Sequence, residues 1–335
     1  MSAPGYGRAE GQVTPETERL RLAGYRLTDL NAAAGAVVWL AALVAATADA
    51  VPLSPVDRFV ALAVLVLVPL GLGLVGVPDS RIAVAAARAA AVASLPAALA
   101  ALAGLALPVG SAASVALALP WLAVTGAIAV VGVVRLRDAG TISLPELAVS
   151  AACLYVPVGA VALVLHRAGV FLRFEPIIVL LTAVHYHYAG FVLPLAVGLL
   201  ARVLADGDGF EGVAGRVGVA ALLVLVGNIA LIAVGITFSP LLEVVAVALF
   251  TVAVVVFAGL ALRRAIPRLP RLPGVLLAVA CCTLFASMAL ALAYGYSAFR
   301  PAEALVGIGT MIRWHGALNA FGFAVPALLA FRLLD

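Results

Sequence analysis

Three histidines, an arginine and an asparagine stand inside two otherwise largely apolar stretches, and their spacing limits the chemistry they can share. One cluster reads His185-Tyr186-His187-Tyr188-Ala189-Gly190-Phe191, the other Arg313-Trp314-His315-Gly316-Ala317-Leu318-Asn319. An imidazole can exchange protons near neutral pH or bind a metal through either ring nitrogen. A guanidinium stays charged and fits an anionic group, and an amide can orient a polar head. His185, His187, His315 and Arg313 are therefore the candidate catalytic groups, with Asn319, Asn228, Tyr186, Tyr188 and Trp314 as candidate substrate contacts. A metal ion on His185, His187 and His315 is a further expectation, although a site without carboxylates is ligand-poor.

Helical geometry restricts these combinations. Residues two apart on a regular helix point to nearly opposite faces, so His185 and His187 cannot both reach one metal unless the helix unwinds. His315 and Asn319, four apart, share a face, whereas Arg313 faces a strip of small residues that includes Gly309 and Gly316. At ~1.5 Å per residue, His185 lies roughly 14 Å and His315 roughly 16 Å along their stretches, near the middle of an apolar layer of about 30 Å. Asn228 reaches a similar level, roughly 18 Å from Arg216. The two stretches also share a pattern, Gly190-Phe191-x-x-Pro194 and Gly322-Phe323-x-x-Pro326, 132 residues apart. Each Pro lacks the N–H that would bond the carbonyl four residues earlier, so both helices are expected to kink beside their polar groups.

The elements that must hold these groups follow from composition. Of 335 residues 65% are hydrophobic and 11% charged, with a mean hydropathy of +1.22. That leaves too few charges to clothe a soluble domain and excludes a disordered chain. All the basic residues are Arg, and they are scattered among connections rather than gathered into a patch for nucleic acid. Continuous apolar runs of about twenty residues exclude a β-barrel and predict an all-α polytopic transmembrane helix bundle of about ten spans. The spans are expected near 31–50, 59–77, 84–107, 112–134, 146–165, 176–202, 216–237, 241–262, 274–297 and 303–331.

Residues 1–30 read as a polar N-terminal segment without the apolar core of a signal peptide. Thr14-Pro15-Glu16 resembles a helix start, and Leu20 to Leu30 is expected either to lie on the membrane surface or to form a loose tail. Residues 31–335 are expected to form one transmembrane domain, with 31–165 an apolar scaffold half and 176–335 the half carrying the polar groups. Fifteen Arg residues fall in alternate connections and only Arg58, Arg167, Arg173 and Arg300 in the others, with Arg313 left inside a span. The positive-inside rule then places both termini in the cytoplasm of a plasma-membrane protein. Cys153, Cys281 and Cys282 lie in apolar stretches and read as small hydrophobes. There is no P-loop, dinucleotide fingerprint, H-E-x-x-H or aspartate-rich box.

The segments H-Y-H-Y-A-G-F at 185–191 and H-G-x-x-N at 315–319, with the multi-span layout, resemble the YndJ-like family of bacterial and archaeal membrane proteins. The resemblance implies that His185, His187, His315 and Asn319 belong to one site, and it implies no activity. From the residues themselves three readings arise. The first is a membrane-embedded enzyme acting on a lipid-like or isoprenoid-like substrate, with the histidines as acid and base. The second is a transporter of a small anionic or hydrophobic solute, with its site at kinked helices. The third is a subunit binding haem or a metal. In each the partners are the lipid bilayer and a small-molecule or lipid substrate.

Overall fold

A computed structural model describes residues 20–140 and 143–335. The expected helix start at Thr14-Pro15-Glu16 lies outside the described residues. Among the described residues, ten helices are long and apolar enough to cross a membrane. They are α1 (Leu27–Thr47), α2 (Pro55–Leu72), α3 (Arg81–Leu105), α4 (Ala112–Asp138), α5 (Leu144–Arg167), α6 (Pro176–Ala205), α7 (Gly212–Phe238), α8 (Pro240–Arg268), α9 (Arg271–Phe299) and α10 (Ile308–Leu334). Each expected span has its helix, so the all-α multi-span architecture holds.

Local chemistry sets several of the starts. Ser54 and Asp57 form a reciprocal cap on α2: the Ser54 hydroxyl accepts from the Asp57 N–H at 3.1 Å, and the Asp57 carboxylate accepts from the Ser54 N–H at 2.9 Å. Ser111 and Ser239 cap α4 and α8, and Pro55, Pro176 and Pro240 occupy first helical positions, where no N–H is needed. The approach to α1 is an ordered turn of chain. Arg21–Leu22 (β1) and Tyr25–Arg26 (β2) pair as an antiparallel hairpin. Its turn residues Ala23 and Gly24 have φ of 52° and 85°, the left-handed conformations that a tight two-residue hairpin requires.

By internal contact the chain forms two compact units. Among the described residues the first comprises 20–140 and Val149–Leu195, the second Ser143–Ala148 and Ala196–Asp335. In the first unit α3 and α4 approach closely at Gly104, where a Cβ would lie 3.1 Å from the Ser114 carbonyl oxygen. Asn31 of α1 donates to the Ala91 carbonyl and to the Ser94 hydroxyl, both at 2.8 Å. Gly71 makes room for Phe191, since a Cβ there would lie 2.6 Å from the ring. In the second unit α7 and α8 form a tight pair. A Cβ at Gly235 would meet the Glu243 backbone at 2.6 Å.

Four helices contain wide π-type turns directly before a proline. They are Ala63–Leu67 before Pro69, Tyr188–Val192 before Pro194, Ala261–Ala265 before Pro267, and Leu318–Ala324 before Pro326. In every case the residue preceding the proline donates five positions back: Val68 to Ala63, Leu193 to Tyr188, Ile266 to Ala261 and Val325 to Ala320. The physical reason is the proline ring, which clashes with the carbonyl four residues earlier; widening the preceding turn moves that carbonyl aside. The shared Gly-Phe-x-x-Pro pattern thus has a structural counterpart in α6 and α10. Pro96, Pro120 and Pro157 sit in helices without such a turn beside them.

Candidate functional site

The expected site residues divide between the units. His185, Tyr186, His187 and Tyr188 lie in the first, and Asn228, Arg313, Trp314, His315 and Asn319 in the second.

In the first unit the two histidines of α6 take opposite settings, as their spacing demands. His185 is exposed, and its Nδ1–H donates to the Leu181 carbonyl at 2.8 Å. His187 has no exposed surface. Its Nε2 lies 2.9 Å from the indole N–H of Trp121, which can only donate, and its Nδ1 lies 2.7 Å from the Ala183 carbonyl, which can only accept. These partners fix the ring as the neutral tautomer with the proton on Nδ1. Both nitrogens of His187 are then engaged by groups of the protein itself. Gly159 lies against the ring, where a Cβ would come within 2.7 Å of Nδ1. Tyr186 is buried edge-on to Tyr155, and the Tyr188 hydroxyl donates to the Phe59 carbonyl at 3.1 Å.

In the second unit α10 starts later than expected. Pro301–Glu303 form a short 3-10 turn, and the Ser297 hydroxyl accepts the N–H groups of Leu305 and Val306 at 2.9 and 3.1 Å, holding that stretch out of the helix. His315 is therefore only about 10 Å into α10 at 1.5 Å per residue, nearer the helix end than the midplane position expected. A wide turn spans Met311–His315. The half-buried His315 and Asn319 meet at the fully buried Ser287 of α9. Nδ1 of His315 lies 3.0 Å from the Ser287 carbonyl and 3.1 Å from its hydroxyl. A carbonyl presents only lone pairs, so Nδ1 carries the hydrogen and Nε2 the lone pair. Asn319 donates to the Ser287 hydroxyl at 2.7 Å and to the His315 carbonyl at 2.8 Å, which occupies both amide hydrogens and leaves Oδ1 as an acceptor.

Asn228 is buried in the middle of α7, donating to the Ala246 carbonyl at 2.6 Å, while its Oδ1 has no protein partner. Arg313 and Trp314 are both exposed. Arg313 makes no ion pair or hydrogen bond among the described residues, and the Glu303 carboxylate instead accepts from the Tyr296 hydroxyl. No group of three or more His, Cys, Asp or Glu side chains suited to a metal occurs among the described residues.

Sequence reasoning missed three contributors. Trp121 and Ser287 are the partners that give His187 and His315 their tautomers, and neither carries a signal of its own. The third lies at the start of α2, within the half expected to be mere scaffold, and at the end of α5, just past it. Asp57, His166 and Arg167 are all more than nine-tenths buried there, and the Asp57 carboxylate acts electrostatically on both others. Arg167 donates to the Ser114 hydroxyl at 2.7 Å and to the Leu107 carbonyl. The contiguous pair His166-Arg167, beside Ser111 and Ser114 at the neighbouring helix start, was the available clue.

The sequence profile of the family described as YndJ-like protein matches residues 58–323. The chain is 33% identical over 164 residues to the "Uncharacterized membrane protein YndJ" of Bacillus subtilis (strain 168). That match covers 49% of this chain and 28% of the relative, so the chain spans well under two thirds of that protein. No solved structure matches.

Proposed function

The chain belongs to the YndJ-like family and is an integral membrane protein, and from that premise we propose that it is a membrane-embedded enzyme with His315 as its acid–base group. One observation carries the reading: the Ser287 carbonyl and hydroxyl hold Nδ1–H of His315, which orients the ring and puts the lone pair on Nε2. An imidazole anchored in this way is a better-placed base, because its tautomer and direction are already set. Nε2 would take a proton from a lipid-like or isoprenoid-like substrate reaching this half-buried face and return it in a later step. Asn319 Oδ1 would accept a hydrogen bond from the substrate's polar end. A neutral imidazole suits this environment, where a carboxylate would be costly to keep charged.

The test compares lipid extracts of cells producing the wild-type protein, His315→Gln or neither, by mass spectrometry at matched protein levels. A lipid species that rises or falls only with the wild type is expected. Three identical profiles would remove the enzyme reading. A transporter remains the second reading, supported by the paired wide turns before Pro194 and Pro326. Solute flux in proteoliposomes, sensitive to Pro326→Ala and accompanied by unchanged lipids, would decide for it.

The Arg distribution supports placing both termini on the cytoplasmic side of the plasma membrane. A C-terminal reporter that works only in the cytoplasm is expected to be active, and a silent reporter on a correctly inserted protein would reverse the assignment.

A further inference from the structure

Arg313 is a permanent charge on an exposed surface inside a hydrophobic span, and no side chain or backbone group among the described residues pairs with it. Glu303, the carboxylate ten residues earlier, is already engaged by the Tyr296 hydroxyl at 2.5 Å. The guanidinium sits five residues into α10, about 7.5 Å along its axis. Side chains on a helix lean toward its N-terminus, so Arg313 leans over Gly309, one turn earlier. A Cβ at Gly309 would meet nothing within 4 Å, so no neighbouring group crowds that side of the helix start. Trp314 beside it is 58% exposed, and Phe321 and Leu329 further along α10 are also exposed. Indole rings settle at the boundary between acyl chains and headgroups.

We propose that Arg313 and Trp314 form a binding site for the phosphate of an anionic phospholipid, whose acyl chain follows the exposed apolar side of α10. The planar fork of the guanidinium matches a phosphodiester, and an anionic lipid supplies the counter-charge that the protein does not. Arg313 and His315 are two residues apart and face differently, so the site does not depend on the enzyme reading.

The experiment is native mass spectrometry of the purified full chain with phosphatidylglycerol or phosphatidylcholine added at equal concentrations. The wild type is expected to retain phosphatidylglycerol about fivefold better, as one basic side chain near a membrane surface provides. Arg313→Gln should abolish the preference while keeping its helical circular dichroism, and Arg313→Lys should keep part of it. Equal retention of the two lipids by the wild type overturns the proposal. Displacement of phosphatidylglycerol by millimolar inorganic phosphate also overturns it, in favour of a soluble anion. A dimer lost in Arg313→Gln, without any lipid preference, assigns the surface to a second copy of the chain.

Discussion

His187 and His315 are the same side chain in two different settings. The first unit closes completely around His187: an indole N–H saturates one nitrogen, a carbonyl the other, and Gly159 leaves only enough space for the ring. The second unit holds Nδ1 of His315 through Ser287, on a half-buried face shared with Asn319. Enclosure with full satisfaction makes a histidine part of the architecture, because any change at the ring strands a buried donor or acceptor. Anchoring through Nδ1 on a half-buried face orients a histidine without enclosing it, which is what the proposed acid–base role requires. A lone intramembrane histidine therefore says little until its second nitrogen is accounted for.

The contrast can be broken by mutation, and the largest effect should come from the closed side. Gly159→Leu would push a branched side chain into the His187 ring and the Ala183 carbonyl. It should cost about 3 kcal/mol or more by overpacking, seen as loss of most folded protein in detergent. Trp121→Phe removes only the indole N–H and should lower stability by about 1–3 kcal/mol, measured as a drop in Tm. A double-mutant cycle with His187→Leu should return much of that loss, since the leucine leaves no acceptor in need of a donor. On the open side Ser287→Ala should cost about 0.6 kcal/mol, typical of hydrogen bonds between membrane helices. If His315 is the reactive group, the same change should still weaken the His315-dependent lipid signal. A Ser287→Ala loss as large as that of Trp121→Phe would erase the distinction between the two histidines.

The sequence made the ten spans legible because a membrane demands long apolar stretches, and the charges between them mark the ends. Individual residues confirm how far that reaches. The opposite orientations of His185 and His187 and the shared face of His315 and Asn319 follow from helical periodicity alone. The late start of α10 does not, because it depends on the Ser297 hydroxyl capturing two N–H groups from residues eight and nine positions later. Trp121 and Ser287 were invisible for a related reason. Periodicity tells which residues share a face, but not which face of another helix meets it. Asp57, His166 and Arg167 stand at helix ends, where charge is ordinary, and only their burial sets them apart.

The widened turns before Pro69, Pro194, Pro267 and Pro326 carry a consequence for any alignment of related chains. Each accommodates one residue more than a regular turn, so the helix beyond it is out of phase with the helix before it by about 100°, one residue's rotation at 3.6 per turn. Facing positions counted across such a proline from an unbroken 3.6-residue wheel land on the wrong side. The two segments of each helix are in effect separate rulers joined end to end. A relative lacking one residue in that turn, and the proline with it, can keep the same contacts on both sides. Gaps at these four places should be read as changes of phase, not of fold.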